Sequence, residues 1–169
     1  LGLAAVAPVR AWAATSVGNV TASDEEGNVL TFDCGENQVK VELCTPRTVR
    51  VQLSQSGANG YRPADPQYYM VQKNAWPKVE RTIETQGDTV TVRTAAMEVR
   101  IKKSPFRIGI YDLNGNLLSK DTDGMGMYTD GDTVGVKREE GKLHAGGIFG
   151  FGSGDHGRRD SLNRYERDF

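Results

Sequence analysis

Cysteine, histidine and long apolar runs are scarce in this chain of 169 residues, and each shortage argues against a class of protein. Two cysteines and two histidines are present, and they do not have the spacing of a zinc site. Lysine and arginine number 21 against 22 aspartates and glutamates, without a basic block. We therefore expect no metal or other cofactor and no nucleic-acid partner.

The first 13 residues are predicted to be the remnant of a signal peptide. "LGLAAVAPV" is a short apolar run, and Ala11-Trp12-Ala13 has the small-x-small form of a signal-peptidase site. Cleavage after Ala13 would make the protein periplasmic, secreted or attached to the cell surface. The run is too short to span a bilayer, so no membrane partner is expected. A first β-strand or a disordered terminus is the alternative interpretation.

Glycine is plentiful, with 20 residues, and short segments of alternating apolar and polar residues recur along the chain. In "TVRVQLS", Val49, Val51 and Leu53 alternate with polar residues, which is typical of a half-buried strand. The pair Asn114-Gly115 is the strongest hairpin signal. About ten such segments follow one another without a convincing amphipathic helix, and short turns favour antiparallel pairing. The sequence therefore predicts an all-β fold, an antiparallel β-sandwich.

The two cysteines are predicted to be free thiols. They flank the turn "GENQ", but alternation groups Cys34 with Phe32 on the apolar side of its strand. The same alternation groups Cys44 with Glu42 on the polar side of the next strand, away from Cys34.

The acidic stretch "DTDGMGMYTDGD" is predicted to form hairpin turns. Its carboxylates at Asp121, Asp123, Asp130 and Asp132 do not have the spacing of an EF-hand loop, and no glutamate occupies the closing position. A calcium site is therefore not expected here.

Four segments follow one another along the chain: "YMVQKNAW", the hairpin "GDTVTVRT", the strand pair "VRIKKSPFRIGIYDLNGNLL" and the ribbon "HAGGIFGFGSG". In this order they resemble the N-terminal domain of glycoside hydrolase family 31, which contains α-glucosidases, α-xylosidases and α-glucosyltransferases. The resemblance extends from about Val17 to the last residue. It implies a galactose-mutarotase-like, supersandwich-like β-sandwich at residues 14–154, truncated before a catalytic (β/α)8 barrel.

The resemblance also implies a function. Members of this family carry an aspartate nucleophile and an aspartate acid/base in the barrel, so no catalytic residue is assigned here. The expected protein is a secreted retaining α-glycosidase, and the expected partners are an α-linked oligosaccharide or glucan and the missing barrel of the same chain. A free-standing carbohydrate-binding or structural sandwich is the alternative.

Residues 155–169 are predicted to be a junction loop that contributes to the sugar pocket. Leu162-Asn163-Arg164 matches a run of the family, whereas Tyr165 and Glu166 depart from it. Arginine donors and carboxylate acceptors in this segment suit a polyol ligand. The candidate substrate-binding residues are Asn163, Arg164, Asp155 and Arg159. The alternative is a solvated linker whose ion pairs contribute little.

Overall fold

The computed structural model describes residues 13–55, 57–58, 61, 75–131 and 133–140, and the backbone of residues 158–159 and 164–168. These residues form strands, turns and irregular segments, arranged as two antiparallel sheets. The predicted all-β antiparallel sandwich is therefore confirmed. The described residues include no helix long and apolar enough to cross a membrane.

Fourteen strands are described. In chain order they are β1 (Thr15–Ser16), β2 (Ala22–Glu26), β3 (Val29–Cys34), β4 (Asn37–Thr45), β5 (Thr48–Ser54), β6 (Thr82–Gln86), β7 (Thr89–Arg93), β8 (Glu98–Lys103), β9 (Phe106–Tyr111), β10 (Leu117–Asp121), β11 (Met127–Asp130), β12 (Thr133–Glu140), β13 (Arg158–Arg159) and β14 (Arg164–Asp168).

The smaller sheet has the order β2-β3-β4-β5, in which neighbours in the chain are also neighbours in space. The larger sheet has ten strands, with the order β1-β11-β12-β10-β9-β8-β7-β6, and β14 pairs with both β12 and β13. Asn114-Gly115 lies in the tight turn between β9 and β10, as predicted, and Gly115 has a φ of 82°. The Asp112 N–H donates to the Asn116 carbonyl at 2.9 Å and closes this turn.

The core lies between the two sheets and consists of the apolar residues that alternate along their strands. Phe32 of β3 and Phe106 of β9 meet at its centre, with ring centroids 5.7 Å apart and planes tilted by 55°. Other fully buried residues of the two sheets are Val39, Val41 and Leu43 on one side and Val92, Val99, Ile101 and Ile108 on the other. Period-two alternation therefore identified most of the core correctly.

Both cysteines are free, as predicted, but the polar-side assignment of Cys44 was wrong. Cys44 is 3% exposed, and its neighbour Leu43 is also buried. The pairing register between β4 and β5 shifts between Leu43 and Thr45, which is a β-bulge that interrupts the alternation of faces. Burial raises the pKa of the Cys34 thiol to about 11. Burial is also the main cause of the raised pKa of the Cys44 thiol.

Candidate functional site

The candidate site lies at the edge of the larger sheet that contains β12. On one side, β12 pairs with β11 through residues 133–136 and with β10 through residues 138–140. On its other side, β12 pairs with β14 from Gly135 opposite Asp168 to Glu139 opposite Arg164. The C-terminal segment predicted from the sequence to approach a sugar is therefore attached to the sandwich through β12.

Two of the four candidate substrate-binding residues lie on described strands. Arg164 is the first residue of β14 and is opposite Glu139. Arg159 is in β13, opposite Tyr165 of β14. Asp155 and Asn163 lie outside the described residues, as do His144, His156 and the glycine-rich ribbon. The structure thus brings the backbones of Arg159 and Arg164 onto adjacent strands.

The boundary predicted at residues 154/155 stays a prediction, but the segment that follows it is not a loop throughout. It contains the two strands β13 and β14. Charged residues follow one another in "NRYERD", so the segment lacks the apolar and polar alternation from which a half-buried strand is predicted. Strand formation here was therefore missed from the sequence.

Asp121, at the end of β10, is a buried carboxylate at this edge. Its side chain is 0% exposed, and its Oδ1 lies 3.4 Å from Arg138 Nη1. Its Oδ2 accepts a hydrogen bond of 2.9 Å from the Ile108 N–H. Burial raises the pKa of Asp121, while Arg138, the Ile108 N–H and Arg107 act in the opposite direction without reversing the shift. The prediction that Asp121 belongs to an acidic hairpin turn was wrong, because Asp121 is the last residue of strand β10 and its side chain is buried.

Arg138 of β12 and the residues around it connect β10 to β12. The Arg138 Nε donates to Ser119 Oγ at 3.0 Å. One residue further along β12, Glu139 Oε2 lies 3.5 Å from Lys120 Nζ. The three-residue ladder between β10 and β12 therefore has an ion pair at two of its three positions, immediately beside the start of β14.

Arg107 of β9 holds the loop between β10 and β11. Its Nε donates to the Thr122 carbonyl at 3.0 Å, and its Nη2 donates to the Asp123 carbonyl at 3.1 Å. Gly126 lies against the Arg107 side chain with a φ of 61°. Burial lowers the pKa of Arg107. The loop that contains Asp123 is thus fixed by a buried arginine, and the described residues contain no cluster of three potential metal ligands.

A cleft of about 320 Å³ lies between β5 of the smaller sheet and β11–β12 of the larger sheet. Its lining is mainly apolar, with Arg138 at one position. The lining residues are Val51, Leu53, Met127, Val134, Gly135, Val136 and Arg138. Gln55 Nε2 donates to the Gly131 carbonyl at 2.8 Å, which links β5 to the turn between β11 and β12.

This geometry is suited to binding and positioning. Asp121 has a raised pKa, which a general acid requires. Its side chain is buried, however, and its two oxygens contact the Ile108 N–H and Arg138. A general acid must come within hydrogen-bond distance of the reacting group. Asp121 cannot do so without leaving the fold, so its role is to hold β9, β10 and β12 together.

Comparison with known proteins identifies the family. The model of the glycosyl hydrolase 31 N-terminal galactose mutarotase-like domain matches residues 38–167. The chain therefore belongs to this family of N-terminal domains of glycoside hydrolase family 31.

Two curated relatives have similar sequences. Alpha-glucosidase 2 of Bacillus thermoamyloliquefaciens is 26% identical over 137 residues, which are 80% of this chain and 16% of that protein. The 1,6-alpha-glucosyltransferase of Sporosarcina globispora is 25% identical over 138 residues, which are 78% of this chain and 10% of that protein. The chain thus spans less than a fifth of the length of either relative.

Solved structures confirm the fold. A dextranase of glycoside hydrolase family 31 from Flavobacterium johnsoniae, in complex with isomaltotriose, matches with a TM-score of 0.64 and 24% identity over 74% of this chain and 15% of that one. The cycloalternan-forming enzyme of Listeria monocytogenes, in complex with a pentasaccharide substrate, matches with a TM-score of 0.56 and 19% identity over 72% of this chain and 12% of that one.

Proposed function

We propose that this chain is the N-terminal domain of an exported retaining α-glycosidase that acts on α-glucosides, and that its β12–β14 edge contributes to the sugar pocket. The observation that carries the proposal is the pairing of β14 with β12 inside the matched region. The pairing supports the proposal because the backbone of Arg164 belongs to a strand of the larger sheet, opposite Glu139. A binding group on a strand is held more firmly than one on a free loop.

In the proposed enzyme this edge binds sugar and the chemistry takes place in a following (β/α)8 barrel. Retaining glycosidases need two carboxyl groups about 5 Å apart, and the candidate residues here are assigned to binding instead. The guanidinium groups of Arg159 and Arg164 supply donors for sugar hydroxyls, Asp155 supplies an acceptor, and the Asn163 amide supplies both. Their contribution would appear mainly in substrate binding and acceptor choice.

The role of the edge is tested in the full-length protein, with release of glucose from maltose, isomaltose and an aryl α-glucoside as the assay. The double variant Asn163→Ala/Arg164→Ala is expected to lower kcat/KM for isomaltose by about 10- to 100-fold, because two polar contacts to the sugar are lost. The matched control is Arg47→Ala/Asn114→Ala, which removes the same side-chain types from exposed turn positions elsewhere in the sandwich. Equal kcat/KM in the double variant and the wild type would refute the proposed role.

The enzyme proposal also has its own test. Activity of the full-length protein on α-glucosides supports it, and a full-length protein that binds glucan without cleaving it would favour a carbohydrate-binding module instead.

Export is the second part of the proposal. Ala11-Trp12-Ala13 supports it as a cleavage site, and β1 begins at Thr15, two residues after the proposed cut. Cell fractionation and N-terminal sequencing of the mature protein test it. A mature protein that begins at Ala14 and is found outside the cytoplasm is the expected result, and an intact N-terminus on a cytoplasmic protein would refute it.

A further inference from the structure

Lys137 and Glu139 of β12 carry opposite charges, and each is opposite a residue of the other sign on β14. Along one row across the sheet, Lys120 of β10 is opposite Glu139 of β12, and Glu139 is opposite Arg164 of β14. The first pair is an ion pair, with 3.5 Å between Lys120 Nζ and Glu139 Oε2. Across three adjacent strands the signs at these register positions are positive, negative and positive.

A second row, two residues away along β12, has the same order of signs. Lys137 of β12 is opposite Glu166 of β14, and Glu166 is opposite Arg158 of β13. Opposite charges at facing positions of an antiparallel pair stabilise it, and like charges at these positions destabilise it. The charged end of the chain thus has a complementary partner in β12.

The complementarity is specific to the observed register. A slip of one residue would turn every side chain of β14 to the other face. A slip of two residues in one direction would place Glu139 opposite Glu166, and a slip of two in the other direction would place Lys137 opposite Arg164. Each slip of two residues therefore creates a pair of like charges between β12 and β14.

We infer that Lys137 and Glu139 are positioning residues that set the register of β14 and thereby place Arg164. The apolar core gives little control over this register, because four of the five residues of β14 are charged. The charge pattern excludes the competing registers instead. The consequence for sugar binding rests on the function proposed above, whereas the register itself does not.

Two single substitutions are expected to move β14 in opposite directions. With Glu139→Lys, the slip that places residue 139 opposite Glu166 becomes attractive at this position, and it also brings Lys137 opposite Asp168. With Lys137→Glu, the slip that places residue 137 opposite Arg164 becomes attractive. A slip of two residues moves the strand by about 7 Å, far beyond the tolerance of a sugar-binding contact.

The register can be read with a cysteine pair in the full-length protein. Val136 is opposite Arg167 in the observed register, so the reporter Val136→Cys/Arg167→Cys is expected to form a disulfide under mild oxidation. Cys34 and Cys44 are buried and do not compete. Adding either Glu139→Lys or Lys137→Glu should lower the yield of this cross-link by more than half. Glu84→Lys, at an exposed position of β6, is the control with the same charge change as Glu139→Lys.

Rescue is measured with the double variant Lys137→Glu/Glu166→Lys, which restores opposite charges without changing Arg164. Its cross-link yield should recover most of the loss, although the introduced lysine is opposite Arg158. Unchanged cross-linking in both single variants, or no recovery in the double variant, would overturn the inference. Cross-linking is measured only in folded full-length protein. If one of the two single variants fails to fold, the other variant still tests the inference.

Activity of the same variants separates this inference from the proposed function. If β14 places sugar-binding groups, Lys137→Glu should raise KM for isomaltose by about 10-fold or more with kcat little changed, and the double variant should reverse this effect. A lost cross-link with unchanged KM would confirm the role of the charges in register and refute the role of this edge in sugar binding.

Discussion

The two halves of the ten-stranded sheet are held together in different ways. In the first half, β6 to β9, the inward positions of the inner strands are apolar, and Val92, Val99 and Ile101 are fully buried. In the second half, which consists of β10 to β14 and β1, the contacts between strands include Asp121 with Arg138 and Lys120 with Glu139. The first half, called the apolar half below, gains its stability from burial of apolar area. The second half, called the charged half, gains specific pairing between strands from its charges.

The difference between the halves matches their proposed tasks. Apolar packing tolerates exchange between residues of similar volume and is weakly directional. Paired charges depend on geometry and exclude alternatives, because an unpaired buried charge is costly. A strand that places binding groups needs a fixed register more than it needs additional stability. We therefore expect the largest loss of stability from substitutions in the first half, and changes in strand position from substitutions of the charged residues of β12 that face β14.

The largest loss of stability is expected in the apolar half. Phe106→Ala removes the ring that packs against Phe32 at the centre of the core and should lower the free energy of unfolding by about 3–5 kcal/mol. Urea unfolding measures it, with Phe106→Leu as the control that retains most of the volume. A loss below about 1 kcal/mol would show that the centre of the core is elsewhere.

The next effect concerns the buried carboxylate of the charged half. Asp121→Ala leaves the Ile108 N–H and Arg138 without their partner and should cost about 3 kcal/mol in the free energy of unfolding. Asp121→Asn preserves the shape and an acceptor for the N–H, so it should cost less. Urea unfolding of the three proteins at one pH gives this order, and equal stability of the alanine and asparagine variants would contradict it.

The dependence on pH sharpens this result. Burial raises the pKa of Asp121 in the folded state, so folding is favoured when this group is protonated. The advantage of the wild type over Asp121→Asn should therefore be greatest below the ordinary aspartate pKa of about 4. It should diminish as the pH rises through the raised value. An advantage that increases with pH would mean that the attraction of Arg138 outweighs burial.

A smaller effect is expected in the loop that Arg107 holds. Gly126 has a φ of 61°, and a Cβ at this position would lie 2.8 Å from Arg107 Cδ. Gly126→Ala should therefore cost about 1–3 kcal/mol in the free energy of unfolding. Gly124→Ala in the same loop is the control, because a Cβ there meets nothing within 4 Å. Equal stabilities of the two variants would show that the loop adjusts freely.

The smallest effect is expected for an ion pair in the apolar half. Arg93 Nη2 lies 3.1 Å from Glu98 Oε2, and the Arg93 side chain is 50% exposed. Arg93→Gln should change the free energy of unfolding by less than about 1 kcal/mol, because solvent screens the pair. If it instead cost as much as Asp121→Ala, the contrast between the two halves would fail.

The apolar half and strands β3 to β5 of the smaller sheet could be predicted from the sequence, because alternation identifies strands that have one buried face. Strand β2 was missed, because all five of its residues are exposed. The bulge at Leu43 and Cys44 could not, because it depends on pairing with β5. The burial of Arg107 and Asp121 was also missed, since charged residues are assigned to the surface unless their partners are known. Their partners Thr122, Ile108 and Arg138 lie on other strands or in the loop after β10.

The candidate site was predicted only in part. The resemblance to the family selected the C-terminal segment, and two of its four candidate residues, Arg159 and Arg164, lie on described strands. Their pairing could have been suspected from the opposite charges of "VKREE" and "NRYERD". Opposite charges in two segments suggest a contact, but many registers satisfy them until the sheet order is known.

The most direct test of this account is a crystal structure of the full-length protein with isomaltose bound. We predict that Asn163 or Arg164 lies within hydrogen-bond distance of a sugar hydroxyl, with β14 paired to β12 in the register described here. A bound sugar whose contacts all come from outside the β12–β14 edge would contradict the account.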